Sequence, residues 1–226
     1  MTAQARPVGY RQSRRMRGPT RDRSALGRRT LAAVLAVAAL IFVLGGQAAA
    51  PTGPSFGPYI EGYAPYRGQT RCRPRPKAGV VAFQQMLEQA YADSTWFNIS
   101  RPCDVGGRSE HKEGRALDWA RDAADPAQAA TVDDLFSWLL ATDQHGNTHA
   151  HARRMGIMYV IWNRQMWSSW DQAWEVICIQ KLKHCRDPQD GSIVHPHADH
   201  VHFSFTRRGA RMKTSFWHPE LSNTPA

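Results

Sequence analysis

Two short segments gather the residues of this chain whose types and spacing suit a metal. The first is Ser109-Glu-His-Lys-Glu-Gly-Arg-Ala-Leu-Asp118 and the second is His197-Ala-Asp-His-Val-His202. A catalytic zinc site takes three nitrogen, sulfur or carboxylate ligands and leaves a fourth position open to water. His111, Asp118 and one histidine of the second segment make such a set, and Gly114 lets the backbone turn between the first two. In a strand running from His200 to Phe205, alternation places His200, His202 and Ser204 on one face. Two imidazoles roughly 6–7 Å apart on that face suit one ligand and one neighbouring acid or base. Any one of these histidines, taken alone, is more readily explained as packed or solvated. The joint pattern carries the reading.

Other conspicuous side chains have plainer readings. Glu110 and Glu113 can be a carboxylate pair, but a solvated turn explains them as well. His145, His149 and His151 fall in a Gly/Asn/Thr-rich stretch that reads as a solvated loop in preference to a second metal site. Trp162, Trp167, Trp170 and Trp174 fit core and rim packing better than a glycan groove, and Trp119 reads as a packing wall for the site.

The elements that must position these groups follow from periodicity. Val80, Val81, Phe83, Met86, Leu87 and Tyr91 recur at helical spacing. Residues 95–100 are β-prone and stop at Arg101-Pro102. Val132 to Thr142 reads as a second helix, with Asp133 and Asp134 near its positive end. Met158 to Trp162 is a strand, and Asn163-Arg164-Gln165 turns it into Met166-Trp167 as a hairpin. Strand pairs are local in sequence and do not alternate with helices. That predicts an α+β fold: a small antiparallel sheet with flanking helices and the metal site on the sheet.

The chain has 226 residues, 42% of them apolar, enough for one ordinary domain and a tail. Its net charge of +10 is concentrated at one end. Residues 1–29 hold nine arginines against the single acid Asp22, which leaves a net charge of two for the other 197 residues. No phosphate-binding surface is needed to explain the total, so a nucleic-acid partner is not expected. Residues 1–29 read as a basic cytoplasmic tail. Residues 30–50, with the charge-free run Leu31 to Leu44 and the small residues after it, read as a signal peptide or membrane anchor. Either way the remainder lies outside the membrane, secreted or held on its outer face, and touches the membrane only through this segment.

Residues 51–78, rich in proline, glycine and tyrosine, read as a linker, and residues 79–220 as the domain. All four cysteines follow the export segment, which favours disulfides. Four cysteines allow three pairings, and the sequence alone does not choose among them. Cys72–Cys103 with Cys178–Cys185 is the expectation, and no Cys-x-x-Cys spacing supports a four-cysteine zinc site.

Ser109 to Asp118 fits Ser-x-His-x-x-Gly-x-Ala-x-Asp and thereby resembles the bacterial D-alanyl-D-alanine metallopeptidases, the lysostaphin-like endopeptidases and the zinc domain of hedgehog proteins. The second segment resembles the His-x-x-His-x-His arrangement of the penicillin-insensitive murein endopeptidase. Gly68 to Cys72, Ser109 to Trp119, Tyr159 to Trp162 and Asp199 to His202 together look like a secreted actinobacterial domain family placed beside those peptidases, a likeness covering residues 68–210.

The resemblance implies zinc ligands at His111, Asp118 and His202. It implies a general base or electrostatic stabiliser at His200, a more distant active-site histidine at His197, and a pocket-shaping serine at Ser109. Arg101 resembles the arginine that polarises the substrate in dipeptidases of this group. The D-alanyl-D-alanine peptidases carry their base, a glutamate, three residues before the last zinc histidine, and this chain has Asp199 there. Strand alternation turns Asp199 away from His200 and His202, which favours His200 as base and Asp199 as the group orienting an imidazole. The expected function is a zinc metallopeptidase acting on peptidoglycan stem peptides or cross-links. The alternative is a non-catalytic zinc module that binds wall material or a protein.

Overall fold

The computed structural model describes residues 49–94, 96–176 and 197–225. Residues 1–48, read as a basic tail and the larger part of an export segment, and the expected Cys178–Cys185 pairing lie outside the described residues.

Among the described residues six strands form one antiparallel sheet: β1 (Phe97–Asn98), β2 (Ala116–Ala120), β3 (Ile157–Trp162), β4 (Gln165–Ser168), β5 (Ala173–Val176) and β6 (His200–Phe205). Their order across the sheet is β1-β2-β6-β3-β4-β5. The chain is thus α+β with a small antiparallel sheet and flanking helices. β6 lies between β2 and β3, so the last strand is central and both of its edges are paired. Its alternation divides the molecule. Val201, Phe203 and Phe205 enter the main hydrophobic core with Leu117 and Trp119 of β2. His200, His202 and Ser204 take the other face.

Three helices cover the apolar face: α1 (Ala78–Ala90), α2 (Pro126–Leu139) and α3 (Ala150–Met155). Val80, Phe83 and Leu87 of α1 are fully buried, as the helical spacing predicts. The Phe83 ring meets Phe203 edge-on at 5.1 Å and Phe205 at 5.5 Å. Burying each such side chain contributes about 1.5–3 kcal/mol.

α2 begins six residues before the expected Val132. Asp125 caps it by accepting from the Ala127 and Gln128 amides, and Pro126 occupies the first turn. Asp133 and Asp134 are therefore mid-helix and do not sit at the positive end. α3 occupies what read as a loop. His149 is its N-cap residue, and the His151 ring stacks on Trp138 at 4.1 Å while its Nδ1–H donates to the Trp138 carbonyl. His145, in the turn before α3, is exposed.

The β3–β4 hairpin closes through Asn163 and Arg164 alone, both at positive φ, and Gln165 already pairs with Trp162. At the other end of β3 the register with β6 shifts between Ile157 and Tyr159. The extra residue, Met158, keeps Ile157 opposite Phe205 on the core side and brings Tyr159 opposite Ser204 on the histidine side.

The 51–78 stretch differs from a linker. Phe56 is buried against Phe216, and Ala64 packs with Met158 and Tyr159. The fully buried Arg154 guanidinium donates to the Gly57 and Tyr59 carbonyls, and Arg153 donates to Glu61. Proline and glycine leave this strip without secondary structure, so tertiary hydrogen bonds satisfy its backbone. The Cys72–Cys103 disulfide ties its end to the loop before the first metal motif.

Candidate metal centre

A single 3₁₀ turn, Glu110–Glu113, carries the first histidine. The Ser109 hydroxyl caps it by accepting from the His111 amide at 3.3 Å, and the Ser109 amide donates to Gln69. Gly114 ends the turn at φ +64, and a Cβ there would run into the Arg75 carbonyl oxygen. Both the conformation and the space demand glycine. β2 then starts, and its Asp118 lies directly across from His202 of β6.

The three side chains converge. Asp118 Oδ1 is 2.8 Å from His202 Nδ1 and 3.1 Å from His111 Nε2, and the two ring nitrogens are 3.3 Å apart. All three residues are buried, and their donor atoms lie within 4.8 Å of one another. Each imidazole is oriented from its far side. His111 Nδ1–H donates to the Ile99 carbonyl at 3.0 Å, and His202 Nε2 meets the Ser204 hydroxyl at 3.1 Å. With Nδ1 protonated, neutral His111 presents its Nε2 lone pair to the carboxylate oxygen, two acceptors face to face. A cation at the point of convergence removes that repulsion, so the donor set fits a metal ion. Without a cation the facing nitrogens must carry protons instead: His111 and His202 then donate to Asp118, outweigh its burial and hold the carboxyl far below its usual range. Burial pushes the His202 imidazole down, against Asp118.

His200 stands at the edge of this cluster, partly open to solvent. Its Nε2 is 3.6 Å from Asp118 Oδ1, and its Nδ1 is 2.8 Å from Asp199 Oδ1. Asp199 is the residue before β6, so its exposed carboxylate turns toward the His200 ring. His197, at φ +58, lies 4.7 Å from the His200 ring and 5.6 Å from the His202 ring. Its buried Nδ1 has no partner among the described residues. Burial first, then repulsion from His202 and His200, push His197 down to about 3, so the ring is neutral at physiological pH. Arg101 joins through its backbone, whose amide donates to the His111 carbonyl at 3.4 Å, and its guanidinium has no hydrogen-bond or ion-pair partner among the described residues.

Five residues around the cluster had no chemical reading in sequence, or a different one. Tyr159 stacks on His202 at 5.6 Å, and its hydroxyl donates to Glu110. Burial and the Glu110 carboxylate push that phenol well above its usual range. Asn98 Nδ2 reaches Asp118 Oδ2 at 3.5 Å from β1. Glu110 and Glu113 are buried and paired with Arg115, which replaces the solvated turn with an internal ion network. Trp119 faces the opposite side of the sheet from Asp118, packed under Tyr91 and Arg121, and so walls the core and not the site.

Residues 72–178 match the family model described as VldE, C-terminal domain. The matched stretch takes in His111 and Asp118 and ends before His202. No curated protein matches this chain, and neither does any solved structure.

Proposed function

We propose that the chain is an extracytoplasmic zinc metallopeptidase that hydrolyses peptide bonds in peptidoglycan stem peptides or their cross-links. The observation that carries this reading is the buried His111–Asp118–His202 set with His200 Nε2 beside it. Three ligands of this chemistry suit zinc and would leave its fourth position to water or substrate. The placement of the site on one face of an antiparallel sheet, with helices on the other, favours a fold of the hedgehog and D-alanyl-D-alanine peptidase kind. The wall substrate rests on the likeness of the two motifs to those peptidases and on the export segment before the domain.

His111 Nε2, Asp118 Oδ1 and His202 Nδ1 would hold the metal. When bound, zinc supplies a Lewis acid that polarises the scissile carbonyl and lowers the pKa of water towards about 7. His200 Nε2 takes the proton of the attacking water and returns it to the leaving amine. Asp199 accepts from His200 Nδ1–H, which fixes the tautomer with its lone pair on Nε2. Neutral His197 adds a ring nitrogen for a hydrogen bond to the substrate without adding charge. The Ser109 oxygen accepts from the His111 amide and keeps its O–H to donate, so Ser109 and Arg101 are both groups that would polarise the substrate and stabilise its oxyanion.

The test is digestion of purified muropeptides with identification of the products. Loss of a terminal D-alanine would assign a carboxypeptidase, and separation of cross-linked dimers an endopeptidase. Metal-bound protein that leaves every wall peptide intact would instead favour a binding module.

A further inference from the structure

Two stretches far apart in sequence are strongly basic. Residues 67–77 hold Arg67, Arg71, Arg73, Arg75 and Lys77, and residues 207–213 hold Arg207, Arg208, Arg211 and Lys213, with no acid in either. The fold brings them to one place. The Arg73 amide donates to the Lys112 carbonyl and the Lys77 amide to Gly114, which lays the first stretch along the 3₁₀ turn. At Gly79 a Cβ would collide with the Gly209 carbonyl, so the start of α1 presses closely on the second stretch.

Between them is a hollow of about 520 Å³, lined by Arg71, Arg73, Lys77, Arg207 and Arg211 around Glu113. The Glu113 carboxylate is already committed to Arg115 at 2.6 Å and to Arg207 at 3.1 Å. Arg71, Arg73, Lys77 and Arg211 have no carboxylate partner among the described residues. Burial first, then repulsion from Arg211 and Arg75, push the Lys77 ammonium down, against the pull of Glu113.

We propose that this hollow is a phosphate-binding site whose ligand is a chain of repeated phosphates carrying no bases to stack. Guanidinium forks match phosphate oxygens in pairs, and several uncompensated cations call for a polyanion in place of one carboxylate. No aromatic side chain lines the hollow, so nothing there stacks a nucleobase. None of the exposed large apolar residues Tyr59, Tyr66, Trp96, Val105, Trp174 and Leu221 lines it, so nothing there enters a bilayer. The site stands apart from the peptidase reading and needs no metal.

The test is calorimetric titration of the full chain with glycerol phosphate oligomers and with inorganic phosphate, beside a single-stranded oligonucleotide and acidic-lipid vesicles. Saturable binding of the oligomer is expected, with inorganic phosphate weaker, and with affinity falling steeply between about 50 and 200 mM salt. Arg73→Glu and Arg211→Glu should each weaken it by about tenfold or more, and Arg211→Lys by less than Arg211→Glu, since lysine keeps the charge and loses only the fork. Arg164→Glu, the same charge change on the β3–β4 turn, should stay within about twofold. No binding at low salt would overturn the proposal. So would an Arg164→Glu loss equal to that of Arg73→Glu, or binding of the oligonucleotide or vesicles in the oligomer's place.

Discussion

At the residue scale, the chemistry turns on which side of His200 holds its proton. The 2.8 Å contact from Nδ1 to Asp199 commits that nitrogen as a donor, because a carboxylate can only accept. Nε2 is then the basic nitrogen, and it is the one facing the cluster. His200→Gln keeps the three ligands and removes the base, so kcat/KM should fall by about 10²- to 10⁴-fold with metal content unchanged. Asp199→Asn should cost less than His200→Gln, because the Asn side-chain oxygen can still accept from Nδ1–H and keep the ring in place. Metal lost together with activity in His200→Gln would instead make His200 a ligand. The ligand candidates were legible because their types and spacing are constrained together. Tyr159 was not, because a one-residue bulge at Met158 decides which face it takes, and no local signal marks that bulge.

At the element scale, the strip before α1 is clamped by a hub that periodicity does not reveal. Asp143 accepts from Arg154 at 2.9 Å and from the His145 and Asn147 amides, and Arg154 in turn reaches the carbonyls of the strip. Burial opposes its ionisation, but the Arg154, Asn147 and His145 hydrogen bonds win and lower the Asp143 carboxyl from 3.8 to about 2. A carboxyl depressed in the folded state adds stability above its unfolded value and loses it as pH falls through the folded one. The contribution is about 2 kcal/mol at neutral pH. Unfolding midpoints measured from pH 7 downwards should therefore show Asp143→Asn less stable than the parent near neutrality, with the gap closing between about pH 4 and 2. A gap constant across that window would remove the ion pair from the account. α1, the β3–β4 hairpin and β6 were readable from apolar period and turn residues. The early start of α2 was missed because the Asp125-Pro126 cap lies outside its apolar stripe.

At the scale of the whole molecule, β6 sets the plan: its odd residues build the core with three helices, and its even residues build the site with β2. The disulfide closes a loop with 31 residues of sequence separation that contains α1, β1 and the strip's junction. Replacing Cys72 and Cys103 together by serine should cost about 2–4 kcal/mol, read as a lower unfolding midpoint with metal binding retained. An unchanged midpoint would show that the non-covalent contacts of the strip suffice. Summed charge is silent about this scale. With a net charge of only two spread over residues 30–226, the sequence hides two basic stretches whose acids lie elsewhere. Folding separates the signs and gathers the cations at one hollow.

The most direct test of the central claim is metal content and muropeptide cleavage on one preparation of the full chain, beside His202→Ala. The account predicts one zinc per chain and cleavage that disappears in the variant and on chelation, with recovery of the parent on adding zinc back. A parent chain that cleaves without metal, or binds none, would contradict it.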